Sequence, residues 1–127
     1  MTRLGSRPRL QQAAAPSDMR FPDDPNLQAL LDRLVERLQP EEVWLFGSRA
    51  EGRARPDSDY DLLAVLPDGA PMADLDPVRA WSLVRGLGIA ADVVPCTRSE
   101  FEEEKNEIDT LARAAWLRGR RVYERAA

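Results

Sequence analysis

The chain has 127 residues, 43% hydrophobic and 31% charged, with a formal net charge of −4, the composition of one globular domain with a single core. It has no histidine and one cysteine, Cys96, which excludes an internal disulfide, the common zinc sets and a histidine general base, and leaves metal binding to carboxylates. No apolar run approaches the roughly 20 residues of a membrane helix, the N-terminus lacks the apolar segment of a secretory signal, and the acidic balance argues against general nucleic-acid binding. A cytoplasmic protein with neither membrane nor direct nucleic-acid partners is expected.

Residues 1–25 carry Pro8, Pro16, Pro22 and Pro25 without periodicity and read as a flexible tail, in which Met19 is an alternative natural start. Residues 26–127 read as a single domain. Leu27, Leu30, Leu31, Leu34, Val35 and Leu38 form one apolar stripe of an amphipathic helix, capped by Asn26 and ended by Pro40. Glu42 to Phe46 reads as a short strand. Asp59 to Leu66 reads as a longer one, apolar on both faces as a central strand should be. Asp76-Pro77 starts a second helix, with a cap and a proline at its first position, running through Trp81 and Val84 to Gly86 or Gly88. Ile89 to Pro95 is a third strand, and Thr97 with Glu100 forms the capping box of an acidic helix, "SEFEEEKN". A last helix from about Ile108 to Arg118 packs Leu111, Ala115 and Trp116, with Gly119 suited to the position after its end. "RVYE" closes the sheet. Alternating helices and strands define an α/β or α+β fold around a small mixed sheet of about four strands. Cys96, Trp44, Trp81, Trp116 and Tyr60 read as core or interface residues, and Tyr123 either closes the sheet or accepts a modification.

The chemistry concentrates in "GSRAEGRARPDSDYD", residues 47–61. Alternate strand residues share a face, so Asp59 and Asp61 are neighbours. Two such carboxylates repel unless a cation joins them, and Mg²⁺ accepts oxygen ligands while keeping positions for phosphate. Asp92, inside the apolar "AADVVP", completes an acidic cluster if its strand lies beside that of Asp59. On the other side of the motif, Gly47 lets a phosphate approach the backbone, the turn from Ser48 to Glu51 can begin a short helix whose amides face an anion, and Ser48 adds a hydroxyl. Arg49, Arg53 and Arg55 can reach phosphate oxygens. Each half alone also reads as an ordinary turn or solvated acid pair; joined by the ten residues 49–58, they form a more specific pattern.

These residues, with "ADVVP" and the ending "LARAAWLRGRRVYE", resemble the minimal nucleotidyltransferase (MNT) group of the DNA polymerase β-like superfamily, from about Glu42 to Glu124. The resemblance implies a nucleotidyltransferase fold in which Gly47 and Ser48, with Arg49 and Arg53, bind the triphosphate. It implies that Asp59 and Asp61 hold two Mg²⁺ ions, and that Asp92 ligates one and helps deprotonate an acceptor hydroxyl. The reaction implied is in-line attack on the α-phosphorus of ATP, with pyrophosphate leaving. Members often read "GSRARG", whereas this chain has Glu51 where the second arginine is expected and Arg53 where an acid often sits. An acid there weakens triphosphate binding, and the two residues read as an exchange of charges. With no second domain to hold an acceptor, the acceptor is expected on another chain. The resemblance implies a HEPN-family RNase toxin encoded nearby and AMP transfer to its tyrosine, making this protein the antitoxin. The alternatives are a non-catalytic antitoxin acting through an acidic surface such as "EFEEEKNE", or a small-molecule nucleotidyltransferase acting as an oligomer.

Overall fold

The computed structural model describes residues 21–126. Met19 and most of the tail expected over residues 1–25 lie outside the described residues. Helix α1 spans Pro25–Leu38. Its cap is Asp24 rather than Asn26: the carboxylate accepts the Leu27 amide at 3.1 Å, and Pro25 occupies the first turn, where its missing N–H costs nothing. The helix stops at Gln39, which turns left-handed with φ 51°, because a residue preceding proline is disfavoured in the helical region.

Strands β1 (Glu42–Phe46), β2 (Tyr60–Leu66), β3 (Ala91–Thr97) and β4 (Arg120–Glu124) form one mixed sheet in the order β3-β2-β1-β4. β1 is antiparallel to both β2 and β4, while β2 and β3 run parallel. The parallel pair requires a crossover, supplied by a 3-10 turn at Met72–Leu75 and by α2 (Pro77–Arg85). β3 begins two residues later than the apolar pattern suggests, since its first partner on β2 is Tyr60, paired with Ala91. Pro95 is tolerated inside it because β3 is an edge strand. Helices α3 (Arg98–Glu104) and α4 (Leu111–Arg118) follow. The Thr97–Glu100 capping box is present. α4 starts at Leu111 rather than near Ile108, because Asp109 is left-handed (φ 69°) and the Thr110 side chain takes the cap.

Strand alternation divides the core into two layers. Tyr60, Leu62, Ala64 and Leu66 face α1 and α2, packed on Leu27, Leu30, Leu34 and Val84. Leu63 and Val65 face α3 and α4, where Trp44, Phe101, Ala112 and Ala115 are buried. Trp44 packs against Phe101 and Trp116 with ring centroids 5.6 and 5.7 Å apart. Trp116 nevertheless stays half exposed, as do Trp81 and Leu111. No helix among the described residues is long and apolar enough to cross a membrane.

Gly119 does not terminate α4 in the left-handed conformation expected of it; its backbone is extended, with φ −90°. It is required for proximity instead. A Cβ there would lie 2.6 Å from the Ala115 carbonyl oxygen and 2.7 Å from that of Leu45, closer than a Cβ approaches another atom in folded proteins. The end of α4 is thereby seated on the backbone of β1. Gly119→Ala is expected to lower unfolding stability by about 1–3 kcal/mol, the usual cost of overpacking, read as a lower urea midpoint; an unchanged midpoint contradicts this packing.

Candidate active site

The end of β1 and the start of β2 are adjacent, with Phe46 paired to Asp61, and across the sheet Asp61 pairs with Asp92 of β3. Alternation puts Asp61 on the face of Leu63 and Val65, the α3/α4 side, and Asp92 on the face shared with Val94 and Cys96, which pack against that same layer. Tyr60 points the other way, into the α1/α2 layer, where it is 4% exposed.

Gly47 follows β1 with φ +76°, and a Cβ on it would collide with the Asp61 carboxylate, whose Cγ would lie 3.2 Å away. Only glycine meets both conditions. The chain then folds into tight turns: the Glu51 amide donates to the Gly47 carbonyl at 3.1 Å and the Arg53 amide to the Ser48 carbonyl at 2.9 Å. The short helix expected from Ser48 does not form, because the second of these bonds and the left-handed Gly52 (φ +75°) reverse the chain after a single turn.

The arginines divide their work. Arg49 donates to the Ser58 carbonyl from Nε at 3.0 Å and from Nη2 at 2.7 Å, and to the Pro56 carbonyl at 3.2 Å. Its Cζ stacks 4.0 Å from the Tyr60 ring centroid. It therefore staples the 55–58 segment onto the sheet rather than standing free for a phosphate. The Tyr60 hydroxyl donates in turn to Asp24 at 2.7 Å; burial first, and then the Asp24 carboxylate, hold this phenol above its usual pKa. Arg53 pairs with Glu51 at 3.4 Å. Glu51 also faces Arg118 of α4 at 3.9 Å, a neighbour for which the sequence carries no local signal.

Asp59, Asp61 and Asp92 are brought close enough for their charges to interact. The Asp61 carboxyl is pushed above the ordinary carboxylate range by burial first, then by Asp92 and by Asp59. None of the three has an ion pair or side-chain hydrogen bond to another described residue. Oxygen-only donors with uncompensated charge suit a hard divalent cation in kind. In spacing they do so only in part: among the described residues, no three potential ligands are gathered closely enough to hold a metal ion, as expected of carboxylates that repel one another.

The rise at Asp61, from burial first and then from its acidic neighbours, has a sign that can be measured. An acid with a raised pKa in the native state binds its proton more tightly folded than unfolded, so stability falls as pH rises above 3.8, the ordinary value, and remains lowered at neutral pH. Asp61→Asn keeps the shape beside Gly47 and removes the charge. It is expected to be more stable than the parent at neutral pH without divalent cations, the gap closing as the medium is acidified below 3.8, in urea midpoints measured across pH. A variant less stable at neutral pH contradicts the reading.

Comparison with known proteins gives the following. No curated protein matches the chain. Among solved structures, the fold is similar to that of a chain in a toxin–antitoxin crystallised with AMP-PNP, at a TM-score of 0.51 and 17% identity, covering 76% of this chain and 72% of that one; at such identity the likeness concerns the fold. Residues 27–121 match the family described as nucleotidyltransferase domain, a span that holds the glycine-serine turn and the aspartates and reaches into the start of β4. This chain belongs to the nucleotidyltransferase domain family.

Proposed function

We propose that this protein is a Mg²⁺-dependent nucleotidyltransferase that moves AMP from ATP to a hydroxyl of a partner protein, a tyrosine of a HEPN-family RNase toxin, and so acts as its antitoxin. One observation carries the reading: the Asp61 carboxylate, without a cationic partner among the described residues, lies against Gly47 while the charges of Asp92 and Asp59 bear on it. Acid and glycine-serine turn are thus adjacent, as transfer of a nucleotidyl group from a metal-bound triphosphate to an acceptor demands. The family supports nucleotide transfer, and the similar fold in a toxin–antitoxin with AMP-PNP supports ATP and a toxin as reactants.

Asp59 and Asp61, with Asp92, would hold Mg²⁺, which when bound supplies charge neutralisation of the phosphates and polarisation of the α-phosphorus. Gly47 offers backbone within reach of phosphate, Ser48 offers its hydroxyl, and Arg53 offers a guanidinium. Arg49 keeps the loop in shape through its carbonyl contacts. Asp92, the most exposed of the acids along with Asp59, takes the proton of the acceptor hydroxyl. The acceptor oxygen forms a bond to the α-phosphorus, the bond from that phosphorus to the bridging oxygen breaks, and pyrophosphate departs. Asp59 and Asp92 are exposed, so the chain that presents the hydroxyl can reach them from solvent.

The reaction is tested by incubating the protein with a purified HEPN-family toxin, Mg²⁺ and ATP labelled at either the α- or the γ-phosphate. Label from the α position only, appearing on the partner with an AMP-sized mass increase, is expected. The double substitution Asp59→Asn with Asp61→Asn should reduce it by at least about a hundredfold, as loss of a metal clamp worth several kcal/mol implies. An unmodified partner, or a double variant as active as the parent, refutes the proposal. Toxin neutralisation that survives the double substitution identifies a steric antitoxin instead.

A further inference from the structure

The loop after β1 and the last turn of α4 meet through Glu51. Its Oε1 faces Arg53 Nη2 at 3.4 Å and its Oε2 faces Arg118 Nε at 3.9 Å. The glutamate is the enclosed member, 30% exposed against 64% for Arg53 and 58% for Arg118. Among the described residues neither arginine has another ionic or side-chain hydrogen-bond partner. Arg118 is also held in place by its backbone: the next residue is Gly119, clamped against the Leu45 carbonyl two residues before Gly47. The backbone of Arg118 is therefore fixed beside the turn after β1, within reach of Glu51, although it lies about seventy positions away in the chain.

A carboxylate bracketed by guanidiniums presents the same paired anionic oxygens that a phosphate presents. Exposed pairs of this kind are worth about 0–1 kcal/mol, so a more highly charged anion displaces them readily. Resting on the nucleotide-transfer reading above, we infer that Arg118 is a phosphate-binding residue of the nucleotide site, acting with Arg53, and that Glu51 occupies both guanidiniums until a triphosphate replaces it. Glu51 thereby lowers nucleotide affinity and favours triphosphate over monophosphate, because only the former carries enough charge to take both arginines from it.

Equilibrium titration of the full chain with ATP and with AMP, in Mg²⁺ at low salt, decides the matter. Glu51→Gln should tighten ATP binding by about three- to fivefold while leaving AMP affinity nearly unchanged. Arg118→Ala should weaken ATP binding by a similar factor, Arg118→Lys should recover part of it, and the gain from Glu51→Gln should shrink when Arg118 is absent. Melting curves of each variant establish that it is folded; if Arg118→Ala is not, Arg118→Lys and Glu51→Gln carry the test. A parent that binds ATP while these variants bind it equally well overturns the role of Arg118 and Glu51 alone. Equal changes for ATP and AMP overturn the selectivity. A parent that binds no nucleoside triphosphate overturns the nucleotide-transfer reading, and this inference with it.

Discussion

The contact on which the site depends is that between the Asp61 carboxylate and the backbone of Gly47. It follows from the antiparallel register that sets Phe46 opposite Asp61, and it admits no side chain at position 47. A slip of one residue in that register would send Asp61 into the α1/α2 core and bring Tyr60 out beside the glycine. The apolar residues Leu62, Ala64 and Leu66, buried against α1 and α2, make such a slip prohibitive. Hydrophobic alternation along one strand thus fixes where the Asp61 carboxylate stands.

Charge is handled differently at the two ends of the sheet. Near the start of β1, acids are matched: Arg98 meets Glu41 at 2.9 Å, Glu42 at 3.4 Å and Glu102 at 2.9 Å, and Arg121 adds a second partner for Glu42. This network ties α3 to the start of β1. At the opposite end, Asp59, Asp61 and Asp92 have no arginine among the described residues, although Arg49 is close in sequence and spends its nitrogens on loop carbonyls. A chain that neutralises its structural acids and leaves three neighbouring ones uncompensated carries a local instability. Such an arrangement is understandable where a cation and a polyphosphate are to be bound together.

Packing holds the loop after β1 from both faces of the sheet. Arg49 lies on the Tyr60 ring, and the Tyr60 hydroxyl reaches Asp24 at the start of α1, so the loop between β1 and β2 is braced by the layer on the far side of the sheet. The close approach of Gly119 to β1 brings the end of α4 to the same loop from the near side. Between these supports the turn from Gly47 to Arg53 is closed by its own backbone hydrogen bonds.

Much of this was legible without coordinates, where the determining forces are local. The leucine stripe of α1, the capping box of Thr97 and Glu100, the proline at the start of α2 and the alternation of β2 are written in neighbouring residues, and they suffice for the mixed four-stranded fold; β2 itself begins at Tyr60, one residue later than expected, so Asp59 precedes the strand. The boundaries that moved were set by competition between nearby groups: Asp24 with Pro25 outdid Asn26 as a cap, and Gly52 with the Arg53 amide ended a turn that could have continued as helix. What only the tertiary structure decided was which distant elements touch. The parallel register put Asp92 beside Asp61, the Leu45 carbonyl rather than a left-handed turn accounts for Gly119, and Glu51 found Arg118 across the loop. Periodicity reports which side of a strand or helix is buried, but it holds no record of the partner against which that side is pressed.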